Sequence, residues 1–139
     1  RQRYTRLHQR YASRPTLSVF YEIWNQPLMT VNGEHLISRM MQLCGGRNVF
    51  TELTPLAPVI DLEAVLKADP EVIIASGMNE QSPEWLEHWR QYPSLRAIRG
   101  NNLFFIPPDL MQRNGPRILD GAEQVCRYLE QARVRRAKH

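Results

Sequence analysis

The sequence contains none of the short motifs that mark common nucleotide-binding and hydrolytic sites. It has no GxGxxG, no GxxxxGK[ST] and no GxSxG, the patterns that cradle phosphates or expose a nucleophilic serine. Its four histidines form no HxxxH or HExxH pair, so they lack the spacing of a zinc site on a helix. Because no set of base, nucleophile and metal ligands can be assembled, we expect neither an enzyme nor a metal site.

Long apolar runs, internal repeats and low-complexity tracts are also missing. No apolar run approaches the roughly 20 residues that a membrane-spanning helix needs. A composition of 42% hydrophobic and 23% charged residues is ordinary for a globular domain, and 139 residues suffice for one core. The first residues look like the middle of a helix, so we expect the chain to be a piece of a longer protein.

Cysteine is scarce in this sequence. Cys44 and Cys126 are its two cysteines, and neither has a CxxC or CxxH partner. Widely separated cysteines of this kind do not predict a metal site. From the residues alone, two alternatives stay open, which are a pair of buried thiols and one disulfide.

Positive charge is concentrated in two segments. The formal net charge is +4, but residues 1–14 hold five arginines and no acid, and residues 127–139 hold five bases and one acid. Residues 15–126 carry 8 bases against 13 acids. A nucleic-acid-binding domain usually has a basic face interleaved with aromatic residues on its folded body, so we expect no nucleic-acid partner.

Strand and helix patterns alternate along the chain. Predicted strands span residues 16–24, 48–50, 71–76 and 103–106, and predicted helices span residues 1–14, 34–43, 61–67, 82–92 and 116–135. Residues 28–33 and 51–59 are predicted loops. Gly45 and Gly46 are expected to stop the second helix, and Asp61 is expected to cap the third. This alternation predicts a small α/β unit with a parallel sheet and flanking helices.

The segment 102–119 is the strongest candidate for a functional site. It predicts a buried strand, a loop, and a helix that begins at Pro116. Open α/β sheets bind ligands in loops that leave the carboxyl ends of strands. Asp109 and Arg113, with Leu110 and Met111 between them, could hydrogen bond the polar rim of a large ligand and cover its flat face. The alternative is that Asp109 and Arg113 merely pair on a solvated loop.

Several sequence blocks carry a resemblance to a known family. They are residues 43–50 (LCGGRNVF), Pro58, residues 63–66 (EAVL) and residues 69–74 (DPEVII). In these blocks the chain resembles the C-terminal lobe of the periplasmic substrate-binding proteins of ABC importers for vitamin B12, haem and iron–siderophores, over about residues 16–135. In that family one long helix joins two α/β lobes that hold the ligand between them. The resemblance implies that residues 1–14 end the joining helix and that residues 15–139 form the C-terminal ligand-binding lobe.

Within this family, the vitamin B12 receptors are the closest likeness. The resemblance places Asp109 and Arg113 at the polar edge of the corrinoid and Ile23 and Trp24 in the wall of the cleft. Ala57 stands where those receptors have a tryptophan that stacks on the corrin, and Trp24 is a candidate replacement for that ring. The implied ligand-binding residues are therefore Ile23, Trp24, Ala57, Asp109, Leu110 and Arg113.

The resemblance also implies a disulfide between Cys44 and Cys126 and a docking role for Glu63, which would meet arginines of the membrane permease. Without the resemblance, Glu63 is an ordinary solvated side chain and Trp24 an ordinary core residue. We expect a periplasmic protein that captures a cobalamin-type corrinoid, delivers it to an ABC permease and uses no cofactor. The alternatives are a receptor for haem or a ferric siderophore and a non-catalytic protein-interaction domain. The isolated lobe could also form a homodimer through its basic helix.

Overall fold

Helices and strands alternate along the chain, as the sequence predicts. The computed structural model describes residues 2–11, 16–25, 28–34, 36–53, 58–75, 87–106 and 118–137. Its helices are α1 (Gln2–Tyr11), α2 (Leu36–Leu43), α3 (Leu62–Ala68), α4 (Arg96–Arg99) and α5 (Ile118–Ala137), and a 3₁₀ helix spans His88–Gln91. Its strands are β1 (Leu17–Glu22), β2 (Trp24–Asn25), β3 (Leu28–Met29), β4 (Gly46–Asn48), β5 (Val72–Ala75) and β6 (Leu103–Phe105). In these described ranges, no helix combines the length and the apolarity needed to cross a bilayer.

The main sheet has the strand order β4–β1–β5–β6, and each neighbouring pair of strands in it is parallel. Every residue of β1 and β5 is buried. Near-complete burial is typical of parallel strands that are covered on both faces. The predicted α/β fold, a parallel sheet with flanking helices, is confirmed.

Side chains of the central strands alternate between two apolar clusters. Val19 and Tyr21 belong to the larger cluster, to which α1, α2 and α5 contribute, while Phe20 belongs to the smaller cluster with α3 and α4. Phe20 also contacts the edge of the Trp89 ring, with the ring centroids 5.6 Å apart. This alternation follows from the two-residue period of a strand, and it places α1, α2 and α5 on one face of the sheet and α3 and α4 on the other.

Local signals determine where two of the helices begin or end. Asp61 Oδ1 accepts a hydrogen bond from the backbone N of Ala64 at 2.8 Å, which caps α3 as predicted. Gly45 has a φ of +82°, the left-handed conformation expected after α2. Gly46 is not part of the helix stop but is the first residue of β4. An added Cβ at Gly46 would lie 2.9 Å from Leu129 Cδ1. The strand predicted at 48–50 therefore lies at 46–48, because pairing with β1 begins directly after the cap.

The prediction of a loop over residues 28–33 is wrong at its start, where β3 pairs antiparallel with β2. The strand predicted at 16–24 is correspondingly broken at Ile23, whose backbone N donates to the carbonyl of Met29 at 3.0 Å. Thr30 Oγ1 donates to the carbonyl of Tyr21 at 2.7 Å. These bonds fold the chain back over the end of β1, and strands of two residues leave no alternation pattern in a sequence.

Of the helix predicted at 82–92, the structure describes the residues from 87 onward. Glu87 is α-helical, His88–Gln91 form the 3₁₀ helix, and α4 follows at Arg96–Arg99. Trp89 is buried within this segment, whereas Glu87 is exposed and pairs with Arg90.

A disulfide joins Cys44, directly after α2, to Cys126 in α5, with the Cα atoms 4.8 Å apart. The pairing implied by the resemblance is therefore present. Arg133 of α5 is buried and donates from Nη2 to the carbonyl of Cys44 at 2.6 Å. Its Nη1 pairs with Glu130 Oε1 at 3.0 Å. The end of α2 is thus held to α5 by one covalent bond and by one buried guanidinium.

Candidate ligand-binding edge of the sheet

Three parallel strands end together at one edge of the main sheet. The backbone register aligns Glu22 of β1 with Ala75 of β5, and Ala75 with Phe105 of β6. The backbone N of Ile106 donates to the carbonyl of Ala75 at 2.9 Å, which continues this row. The segments that follow β1, β5 and β6 therefore leave the sheet at the same edge, which is where open α/β sheets bind ligands.

The segment after β6 contains three of the predicted ligand-binding residues, Asp109, Leu110 and Arg113. These three lie outside the described residues, as does Ala57, so their contact with a ligand stays a prediction. The strand before them is firmly placed, because Tyr128 of α5 donates its hydroxyl to the carbonyl of Phe105 at 2.6 Å. Burial raises the pKa of the Tyr128 hydroxyl, which therefore stays a donor at neutral pH.

A small antiparallel hairpin of β2 and β3 forms a wall at this edge. Trp24 in β2 pairs with Met29 in β3, and Met29 forms an antiparallel bridge with Val59 on its other side. The backbone at Trp24 is therefore two strand positions away from the segment that follows Ala57. Val59 is 62% exposed, so this wall presents apolar surface to its surroundings.

Ile23 connects β1 to the hairpin and is half-buried. Its side chain packs against the larger apolar cluster, so part of it belongs to the core. The remaining exposed part lies at the carboxyl edge of the sheet, where the resemblance implies a cleft wall. That Ile23 and Trp24 touch a ligand stays a prediction.

Glu22 is the notable residue of this edge that the sequence analysis missed. Its side chain is 2% exposed, and Oε1 accepts a hydrogen bond from Trp89 Nε1 at 2.7 Å. Burial is the larger effect and raises the pKa of Glu22 to about 8, while the hydrogen bond from Trp89 offsets part of that rise. The carboxyl group is therefore mostly protonated and neutral at pH 7. The signal for it was an acidic residue inside an otherwise apolar stretch, VFYEIW.

Glu63 lies in the first turn of α3 and is exposed. A carboxylate is favoured near the N-terminus of a helix by the helix dipole. An exposed carboxylate can accept two hydrogen bonds from a guanidinium group of a partner. The position is therefore compatible with docking on arginines, and the docking role stays a prediction.

The described residues offer no centre for a metal ion. Within them, no three His, Cys, Asp or Glu side chains are grouped so that they could hold one. Cys44 and Cys126 are oxidised to the disulfide and so provide no thiolate ligand. What the described edge provides is apolar surface, which is suited to covering the flat part of a large ligand.

Comparison with known proteins gives this geometry a family context. Residues 1–110 match the family model described as periplasmic binding protein. The vitamin B12-binding protein of Photorhabdus laumondii subsp. laumondii is 36% identical over 129 residues, which cover 93% of this chain and 45% of that protein.

Two solved structures are similar in fold. The periplasmic vitamin B12 binding protein BtuF of Vibrio cholerae has a TM-score of 0.83 and 32% identity, covering 95% of this chain and 51% of that one. The periplasmic heme-binding protein BhuT, in complex with two hemes, has a TM-score of 0.77 at 16% identity, covering 94% and 52%. The second likeness concerns the fold alone. The chain spans about half the length of these relatives.

Proposed function

The chain belongs to the periplasmic binding protein family, and from this premise we propose that it is the C-terminal lobe of a receptor that captures cobalamin. Residues 1–14 are the end of the helix that joins this lobe to a second one, and residues 15–139 form the lobe itself. The receptor works in the periplasm and hands its ligand to the permease of an ABC importer. It makes and breaks no bond of the ligand and needs no cofactor.

The observation that carries the proposal is the 36% sequence identity, over 93% of this chain, to a protein named for vitamin B12 binding. The similarity to a solved vitamin B12 binding protein supports the same ligand. The haem-binding structure supports the alternative ligand less, because at its low identity it shares the fold alone. Haem and ferric siderophores are therefore the second candidates.

Binding combines apolar contact with a few orienting polar groups, as is usual in pockets for large ligands. Ile23, Trp24 and Leu110 cover the flat ring, and Asp109 and Arg113 hydrogen bond its polar rim. The described carboxyl edge supports this division, since β1 and β6 end at the same edge of the sheet, one on each side of β5. Because the chain spans about half of its relatives, the other wall of the cleft comes from the second lobe, and the chain alone binds weakly.

Delivery requires a contact with the permease outside the cleft. Glu63 is exposed on α3, on the face opposite α1 and α5. A charge at the rim of an interface mainly accelerates association and selects orientation, and adds less to affinity. Glu63 therefore guides the receptor onto arginines of the permease.

The test is calorimetric titration of the whole two-lobe receptor with cyanocobalamin, haemin and a ferric hydroxamate in parallel. We expect tight binding of cyanocobalamin and at least about a hundredfold weaker binding of the other two, which corresponds to roughly 3 kcal/mol. Tight binding of haemin or the hydroxamate instead would retain the family and overturn the cobalamin assignment. Binding of none of the three would favour a protein-interaction domain.

A further inference from the structure

Helices α1 and α5 lie against each other on one face of the sheet and form a groove lined by arginines. The groove has two adjoining depressions, of about 460 Å³ and about 480 Å³. Arg10, Tyr11 and Arg127 line both depressions, Arg6 lines the first, and Arg135 lines the second. We call this surface, defined by Arg6, Arg10, Arg127 and Arg135, the arginine groove.

Two carboxylates also line the groove, Glu123 in the first depression and Glu130 in the second, and each has a cationic partner. Glu123 pairs with Arg127, with N and O 3.9 Å apart, and the pair is largely exposed. Glu130 pairs at 3.0 Å with Arg133, which is buried and does not line the groove. One of the four groove arginines is thus balanced by an acid.

The positive charge of the other three groove arginines is not offset by a carboxylate among the described residues. Among the described residues, no carboxylate pairs with Arg6 or Arg10, and both side chains are exposed. Arg135 donates to the carbonyl of Asn101 and to Asn102 Oδ1, which are neutral acceptors. The groove therefore presents a concentrated positive charge on a chain whose residues 15–126 carry more acids than bases.

We propose that the arginine groove is a docking surface for the anionic phospholipid headgroups of a membrane. A guanidinium group donates paired hydrogen bonds to phosphate oxygens and is more weakly hydrated than an ammonium group. Val134, which lines the second depression, is 49% exposed and adds an apolar contact at the boundary between headgroups and acyl chains. Basic residues near an anionic leaflet each strengthen binding to it.

Two other occupants fit the groove less well. A second copy would have to place the same arginines against each other, because a two-fold interface uses the same patch on both copies, and like charges would repel. A single-stranded nucleic acid would need exposed rings on which bases stack, whereas Tyr11 of the groove is 4% exposed. A fluid anionic membrane surface requires neither a close approach of like-charged arginines nor exposed aromatic rings.

Docking through the groove leaves the rest of the molecule accessible. The groove lies on the sheet face covered by α1 and α5, while Glu63 is on the opposite face and the carboxyl edge lies at the ends of the strands. The protein could thus rest on the membrane with its ligand edge open and diffuse in two dimensions. This inference does not depend on which ligand is bound.

The test is flotation of the purified protein with vesicles of phosphatidylethanolamine and phosphatidylglycerol, compared with phosphatidylcholine vesicles. We expect binding to the anionic vesicles, loss of that binding as salt rises, and none to phosphatidylcholine. The Arg6→Gln/Arg10→Gln variant should lower the membrane partition coefficient about 25-fold, since each arginine contributes about fivefold.

The matched control is Arg47→Gln/Arg99→Gln, which removes the same charge from exposed positions on β4 and α4 outside the groove. We expect this control to keep the partition coefficient within about twofold. An equal loss in both variants, or no loss in the groove variant, would overturn the proposal. Ligand titration of the same variants should be unchanged, so a failure here is separate from a failure of the cobalamin assignment.

Discussion

Glu22 shows how burial sets the chemistry of a single residue. Its carboxyl group lies inside β1 with Trp89 as hydrogen-bond donor, and burial raises its pKa to about 8. The side chain is therefore mostly neutral at pH 7, which avoids the large cost of burying a charge. Below about pH 8, Glu22 is mostly protonated and adds little negative charge to the edge at which β1, β5 and β6 end.

The raised pKa of Glu22 predicts a pH dependence of stability. Because the pKa is about 8 in the folded protein and 4.5 for an unperturbed glutamate side chain, the stability that Glu22 contributes is fully present below about pH 4.5 and is lost as pH rises through 8. Glu22→Gln retains an acceptor for Trp89 and cannot ionise. As pH rises, the free energy of unfolding of the native protein should therefore fall relative to that of the variant, by at most about 1.4 kcal/mol per pH unit.

Urea unfolding at several pH values between about 5 and 8 measures this difference. Glu63→Gln is the control, because it removes an exposed carboxylate of the same type and should show no comparable trend. Parallel stability curves for the native protein and Glu22→Gln would contradict the account of this residue.

Residue roles that depend on near neighbours could be predicted from the sequence. Asp61 caps α3 through a bond to Ala64, three positions away, and Gly45 ends α2 through its own φ. The contact between Glu22 and Trp89 joins residues 67 positions apart. No local pattern encodes such a partner, which is why the protonation state of Glu22 emerged only from the folded structure.

At the scale of elements, the disulfide connects the end of α2 to the middle of α5 across 82 residues of sequence. Cys44→Ala/Cys126→Ala should lower the free energy of unfolding by roughly 4 kcal/mol, because the closed loop restricts the unfolded chain. Urea unfolding measures the loss, and a thiol reductant should destabilise the native protein but leave the double variant unaffected. A loss below about 1 kcal/mol would contradict a major role for this cross-link.

Elements with a strong apolar run were predictable, and those defined by pairing were not. The strands β1, β5 and β6 could be predicted from short apolar stretches, and of these β1 and β5 are buried throughout while β6 is buried at Phe104. The hairpin of β2 and β3 has two residues in each strand and exists because its backbone pairs with Val59 and with the end of β1. The candidate residues Asp109, Leu110 and Arg113 were found from their place in the loop after a predicted strand, the resemblance added the corrinoid as their ligand, and their contacts stay predictions.

At the scale of the whole molecule, the fold presents three surfaces. The carboxyl edge of the sheet is the predicted ligand side, α3 with Glu63 lies on one face, and α1 with α5 lies on the other. The sequence shows that positive charge collects in residues 1–14 and 127–139. That these two segments share a groove follows from tertiary packing, which the charge pattern alone could not indicate.

Glu63 predicts a specific defect in permease docking. Glu63→Lys reverses the charge of an exposed side chain and should slow association with the reconstituted permease at least about tenfold, while leaving cobalamin affinity unchanged. Stopped-flow association at low salt measures this rate. Glu52→Lys makes the same change at another exposed position and should have little effect; equal slowing by both variants would contradict a docking role for Glu63.

The central claim is that cobalamin is held at the carboxyl edge by Asp109 and Arg113. The most direct measurement is calorimetric titration of the whole receptor with cyanocobalamin, for the native protein and for Asp109→Asn/Arg113→Gln. Asp69→Asn/Arg96→Gln is the matched control, because this ion pair, 3.3 Å apart, adjoins the opposite ends of the strands. We predict at least about a tenfold rise in Kd for the first variant, since it weakens two charged hydrogen bonds, and little change for the control. An unchanged Kd in the first variant, or an equal rise in both, would contradict the account.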